Sequence, residues 1–420
     1  MRQRRPKVNL FLVVVLILLI VVVAYVDRYI IPTAQTPFMP TPTVTRSPES
    51  YVTEAEDLFN QGKLLPSIDA YLQAIRIQPE DPTTYIALAR VQIFAGKYDE
   101  ALVNAEDSLL LNKNNSMAYA VRGWALTYKL DYTNADDSLK NALRLDDSNG
   151  RAHAYNAFLY GKMYENNAGT YTNPIQTAID ESNAAISLAP DSLEAHWARA
   201  YVLGLTSSDN LNQAVTQYLD AIKINGNIAQ IHLELGITYR ALQNIDLAIQ
   251  QYTLANQFDP SSYLPELYSS RADVTIGEFG KALQWADQAV RDAPDNADLR
   301  GNWGYMLYKN DSFVAANEQL SLAINGGTTA DGLTIQPLSP ATNDIWVSKY
   351  YYAYAISLAQ TNHCAEMFLL TQKIRDYFHS DPYADLNAGI AEGICGKTLT
   401  TPSSPASSQA SKTPAITPTP

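Results

Sequence analysis

Small residues recur along the middle of the chain in two ladders that share one spacing. The first runs Ser67, Ala101, Ala135, Ala178, Ala214, Ala248, Ala282 and Ala316. The second runs Ala74, Ser108, Ala142, Ala185, Ala221, Ala255, Ala289 and Ala323, seven residues behind. Successive members of both ladders stand 34, 34, 43, 36, 34, 34 and 34 residues apart. Two independent ladders with one period mark a repeated helix–turn–helix unit, eight copies over residues 50–325. Small residues let neighbouring helices approach, and the large apolar residues between them fill the gaps. Pro79, Pro190, Pro260 and Pro294 close second helices, because proline cannot continue one.

Outside this block the pattern changes. Val8 to Val26 is a run of 19 residues without a charge, preceded by the basic segment "MRQRRPK". Such a run is about long enough to cross a bilayer as a helix. It predicts a signal anchor over 8–26, with 1–7 cytoplasmic and the rest of the chain outside the cytoplasm in a bacterial envelope. A cleaved signal peptide is the rival, but "VVVAYVDRY" offers no small-residue cleavage site. Residues 27–49 and 397–420 are rich in Pro, Thr and Ser and lack apolar periodicity. They read as a semi-rigid linker and a disordered tail, with O-glycosylation as an alternative use. Residues 326–344 are too rich in Gly and Pro for a helix and predict a loop. Helical periodicity resumes over 345–396, as a divergent ninth unit and a capping helix that covers the open end. Extra residues around 163–174 and in "GLTSSDN" lengthen the fourth and fifth units.

The units resemble the tetratricopeptide repeat, whose period is 34 residues. Tyr85, Leu88, Ala89, Gly96, Tyr98, Ala101 and Ser108 fall on its consensus slots in one unit. Leu235, Gly236, Tyr239, Ala248, Tyr252, Ala255 and Pro260 do so in another. The resemblance implies an all-α fold, a right-handed superhelix of about nine helix pairs with a cap, tethered by one transmembrane helix. It also implies that first helices line a concave groove. The groove-facing positions carried onto this chain include Trp124, Tyr128, Tyr155, Phe158, Trp197, Tyr201, Tyr268 and Tyr305, with Arg90, Arg240 and Arg271 on the same surface. Such residues suit binding hot spots, since they combine contact area with a polar handle; packing between helices is the alternative use of the rings. Some members bind C-terminal carboxylates through Asn beside basic residues. Here the ninth position of each unit, from the second to the eighth, reads Arg90, Trp124, Phe158, Tyr201, Ile237, Arg271 and Tyr305, without Asn.

Charge and chemistry narrow the function. Residues 50–396 carry 22 Lys and Arg against 41 Asp and Glu, a balance of −19. Nucleic acid requires a basic surface, so it is excluded as a partner. No P-loop, Gly-rich dinucleotide fingerprint, H-E-x-x-H, C-x-x-C or G-x-S-x-G occurs. No catalytic residue, metal or cofactor is expected. His153, His196 and His232 occupy the fourth position of successive units, after Tyr51, Tyr85 and Tyr119. Rungs about 8–10 Å apart cannot share one zinc, so packing or capping is expected of them.

Cys364 starts the ninth unit's second helix and Cys395 ends the cap. Helices of about 16 and 12 residues packed antiparallel bring the two sulfurs together, and an extracytoplasmic site permits the bond. A Cys364–Cys395 disulfide is therefore expected. These readings converge on a non-enzymatic, membrane-anchored scaffold that binds a protein or peptide segment in its groove. A glycan-binding surface protein is the second reading, and an accessory to a cell-wall enzyme the third.

Overall fold

A computed structural model of the chain describes residues 9–30, 46–168, 171–340 and 344–400. They belong to two compact units, divided between Ser47 and Pro48. The first contains α1 (Leu10–Tyr25) and a π-helical turn over Val26–Ile30. The uncharged run predicts a spanning helix over 8–26, but the α-helix found has 16 residues. At 1.5 Å per residue it is about 24 Å long, against about 30 Å of bilayer hydrocarbon. Among the described residues no helix is long and apolar enough to cross a membrane. The basic N-terminus, most of the Pro/Thr-rich linker and the tail beyond Thr400 lie outside the described residues.

The second unit is a helical solenoid. α2 (Pro48–Asn60) pairs with α3 (Leu64–Ile77), α4 (Pro82–Phe94) with α5 (Tyr98–Leu111), and α6 (Ser116–Tyr128) with α7 (Tyr132–Leu145). α8 (Gly150–Glu165) pairs with α9 (Pro174–Leu188), and α10 (Leu193–Thr206) with α11 (Leu211–Ile224). α12 (Ala229–Ala241) and α13 (Ile245–Phe258), α14 (Leu264–Thr275) and α15 (Phe279–Asp292), and α16 (Ala297–Lys309) and α17 (Phe313–Asn325) continue the series. First helices also touch one another in sequence from α4 to α16, so one side of the solenoid is built from them.

Local chemistry explains the units. Every residue of both small-residue ladders is 1% exposed or less, so the ladders are where paired helices meet. Serine is accepted there because its hydroxyl finds a carbonyl: Ser67 Oγ donates to Ala55 O at 2.7 Å and Ser108 Oγ to Pro82 O at 2.9 Å. Side chains of Asp81, Asn115, Asn149, Ser192 and Asn296 accept first-turn N–H groups and start five of the first helices.

The described part of the 326–344 segment, residues 326–340, carries two short strands, so the second unit is not purely helical. Gly327–Thr328 (β1) and Thr334–Ile335 (β2) form a short antiparallel ribbon. Its backbone groups pair with each other, and Ile335, 1% exposed, anchors it on the solenoid. Leu338 N then donates to Ala323 O at 2.8 Å. Beyond it come α18 (Ile345–Gln360), α19 (Cys364–Tyr377) and α20 (Pro382–Thr400). α18 is buried from Trp346 to Ala359 except at Lys349, because α16, α17, α19 and α20 all pack on it. Cys364 and Cys395 are joined in a disulfide with Cα atoms 5.7 Å apart. The capping helix does not end at Cys395 as its sequence suggests; it runs on to Thr400.

Candidate functional site

The concave side divides into two parts. Along the first five units it is filled with the chain's own rings. Phe59 meets Phe94 at 5.3 Å between centroids, Phe94 meets Trp124 at 5.3 Å, and Trp124 stacks on Tyr155 at 4.4 Å. Trp197 closes the column against Phe94, Trp124 and Phe158, and Phe158 also meets Tyr201. Trp124 and Tyr155 are 0% exposed, and Phe158 and Trp197 are 2% exposed. Four residues expected to form an open aromatic groove are therefore core. The reason is that the inner side chains of units one to five meet one another across the turn of the solenoid.

The turn is also tied shut. Asn227 Nδ2 donates to Asn60 O at 2.7 Å, and Asn225 Nδ2 to Phe59 O at 3.3 Å, linking residues more than 160 positions apart. Gly62, at φ +74°, makes this approach feasible: a Cβ there would lie 2.5 Å from Asn227 O.

Two carboxylates hold the column. Glu194, 0% exposed, accepts from Arg90 Nε and lies 3.6 Å from Arg151 Nε. Burial would raise its carboxyl, but the Arg90 and Arg151 guanidiniums outweigh burial and hold it at about 2. Arg90 also lies over the Phe59 and Phe94 rings, so it is occupied from several sides. A cavity of about 380 Å³ opens beside this pair, lined by Glu56, Tyr71, Met117, Arg151 and Ile224 among others. Glu234 accepts from Trp197 Nε1 at 2.7 Å, Tyr218 Oη at 3.0 Å and Gln230 Nε2 at 2.9 Å. Tyr128 stacks on Tyr98 at 4.9 Å, and Tyr201 donates to Glu165 at 3.0 Å. Both rings are half-buried.

Units six to nine are different. Arg240 lies 5.4 Å from the Tyr268 ring, Lys309 lies 5.1 Å from Phe279, and Lys349 lies 4.1 Å from Trp346. None of these three half-buried cations forms an ion pair or hydrogen bond among the described residues. Arg271 is buried and paired: Nη2 donates to both Asp298 oxygens at 2.9 Å and to Tyr350 Oη at 2.8 Å, with its guanidinium 4.7 Å from Trp346. Burial, then the positive charges of Arg271, Lys309 and Arg240, pull the Lys349 ammonium below its ordinary range against the opposing charge of Asp381. Burial does the same to Lys309. Tyr305, buried, packs edge-on against Trp346 at 5.9 Å.

The histidine ladder is a structural device. His153, His196 and His232 bond through Nε2 to the carbonyls of Asp147, Pro190 and Gly226, each six residues back. Their Nδ1 atoms reach Glu181, Gln217 and Gln251 on the second helix of the same unit. Arg300 makes the equivalent pair, to Pro294 O and Gln319 Oε1. Among the described residues no group of His, Cys, Asp or Glu could hold a metal ion.

The sequence reading missed Glu194, Glu234, Lys309, Lys349 and Trp346. The positional rule that selected the rings also selects three of these. Glu194 is at the second position of its unit, Glu234 at the sixth and Lys309 at the thirteenth. The reading favoured aromatic and arginine side chains and passed over carboxylates and lysines on the same face. Lys349 and Trp346 lie in the divergent unit, where no register is available.

No family model matches the chain, and no curated protein does. Among solved structures it is similar to PilF of Pseudomonas aeruginosa, at 19% identity over 51% of this chain and 92% of that one, with a TM-score of 0.37. It is similar to PilW, a type IV pilus biogenesis factor, at 18% identity over 49% and 90% respectively, with a TM-score of 0.43. A tetratricopeptide repeat protein from Parabacteroides merdae aligns at 13% identity over 62% and 98%, with a TM-score of 0.39. The assignment of a solenoid rests on the repeat and the helix pairs of the chain itself.

Proposed function

We propose that the protein is a non-enzymatic scaffold that holds a segment of another protein on the concave face of units six to nine. The observation that carries this reading is the contrast between the two halves. Self-packing and the Asn227–Asn60 contact occupy the first five units. Arg240 over Tyr268, Lys309 over Phe279 and Lys349 over Trp346 are half-buried cations without an ion pair or hydrogen bond among the described residues. Half-buried cations without an ion pair, set beside aromatic rings, are what an interface supplies.

The tether belongs to the same proposal. The uncharged run 8–26 and its basic flank support an anchor with the solenoid outside the cytoplasm. Protease added to intact cells should then digest the solenoid and spare residues 1–7. A solenoid protected until the cells are lysed would sink the tether.

For the scaffold, a photo-crosslinking amino acid in place of Tyr268 should yield a polypeptide adduct in cells. The same substitution at Trp124, buried in the column, should yield none. Absence of a polypeptide adduct at Tyr268, or an adduct to polysaccharide alone, overturns the reading.

A further inference from the structure

We infer that the seventh unit binds a calcium ion between Glu266, Asp292 and Asn256, in the slot that histidine or arginine fills in its neighbours. The site stands apart from the scaffold reading and survives its failure. In units four, five, six and eight the fourth residue of the first helix is a histidine or an arginine. It joins the carbonyl six residues back to a side chain of the second helix: His232 joins Gly226 O to Gln251, and Arg300 joins Pro294 O to Gln319. In unit seven the slot holds Glu266, and the carbonyl six residues back is that of Pro260. The second-helix partner stands 19 residues on in units six and eight; in unit seven that position is Trp285, which offers no acceptor. A carboxylate cannot donate to the carbonyl, so this slot lacks the bridge that its neighbours have.

Oxygen atoms gather there instead. Glu266 lies in the first turn of α14 and is 2% exposed. Within hydrogen-bonding reach of its carboxyl are Asp292, the last residue of α15, and Asn256, in the last turn of α13. Glu266 Oε2 and Asn256 Oδ1 are both buried without a hydrogen-bond partner. Two carboxylates and an amide oxygen form the all-oxygen set that calcium takes, with water completing its shell. With two carboxylates, the set differs from the groups of three or more His, Cys, Asp and Glu that are absent among the described residues. The last turns of α13 and α15 also favour a cation, because their free carbonyls carry the negative ends of the helix dipoles. Asp292 is exposed and gives the ion a way in; its Oδ1 also accepts from Gln288 Nε2 at 3.1 Å. Magnesium suits the set less well, since it demands octahedral geometry and gives up water reluctantly. In the metal-free protein a proton on Glu266 takes the place of the ion.

The test uses the full chain in detergent, dialysed against EDTA and then titrated calorimetrically with calcium chloride. One site should appear, with a Kd of about 10⁻⁵–10⁻³ M, and magnesium chloride should bind at least about tenfold more weakly. Asp292→Asn should weaken calcium binding by about tenfold, and Glu266→Gln with Asp292→Asn should abolish it. Glu80→Gln, on an exposed residue beyond α3, should change nothing. Circular dichroism establishes that each variant is folded, and Asp292→Asn, at the exposed edge of the site, carries the test if the double variant does not fold. Calcium should also slow hydrogen exchange at the ends of α13 and α15 and leave α4 unchanged. Absence of calcium binding leaves a proton alone in the slot and overturns the inference. Equal binding of magnesium overturns it too, as does calcium binding that Asp292→Asn leaves intact.

Discussion

Trp197 Nε1 donates to Glu234 Oε2 at 2.7 Å, joining the fifth unit to the sixth from the inside of the solenoid. The indole is 2% exposed, stacks on Phe94 and meets Trp124 and Phe158 in T-shaped contacts, so both its ring and its N–H serve the fold. Trp197→Phe keeps a ring in place and removes the donor. It should lower stability by about 1–3 kcal/mol in urea unfolding and leave the Tyr268 crosslink intact. A variant as stable as the parent would show that Tyr218 and Gln230 satisfy Glu234 without the indole.

Gly62 controls the closure of the first five units. A Cβ at this position would stand 2.5 Å from Asn227 O, on backbone already at φ +74°. Gly62→Ala should cost about 1–3 kcal/mol through strain and the loss of the Asn227–Asn60 bond. Hydrogen exchange should quicken at the α2–α3 and α11–α12 turns and stay unchanged in α18. Uniform exchange across the solenoid would count against a local closure.

Two buried carboxyls drive stability in opposite directions with pH. Glu194 is held at about 2 despite burial, by Arg90 and Arg151. Its contribution is present above the unfolded value of about 4.5 and is lost as pH falls toward 2. Burial, then Asp292, push Glu266 up to about 8. The folded state therefore holds a proton that the unfolded state releases, and stability falls as pH rises from about 4.5 to 8. Glu266→Gln should remove the alkaline decline, and Glu194→Gln should flatten the acid one, in melting temperatures followed across pH. If Glu266→Gln leaves the profile unchanged between pH 5 and 8, Glu266 is ionised in the fold.

The disulfide closes a span of 31 residues between Cys364 and Cys395. Chain entropy alone assigns such a loop about 3–4 kcal/mol. Cys364→Ser with Cys395→Ser should reduce stability by about that much, with faster exchange concentrated in α19 and α20. Equal exchange in the parent and the variant would show that packing on α18 suffices to hold the cap.

The solenoid was legible because it is local and periodic. A residue such as Ala248 or Ala255 is small for the same reason in each unit, and 34-residue spacing places it without any knowledge of distant contacts. The cysteine pairing was legible too, since it needs only two helix lengths and an antiparallel turn. The β1–β2 ribbon was not, since two-residue strands carry no periodic signal. What Trp124 and Trp197 do depended on curvature, which accumulates over five units as small rotations that no single unit encodes. One stretch of the concave face closed around its own rings, and the other holds Arg240, Lys309 and Lys349 half-buried over Tyr268, Phe279 and Trp346. The sequence by itself determined the helix pairs and their period, and that first helices line one face came only as what the family resemblance implies. Only the tertiary structure decided which part of that face is core and which part holds half-buried cations without an ion pair, because burial depends on contacts between distant units.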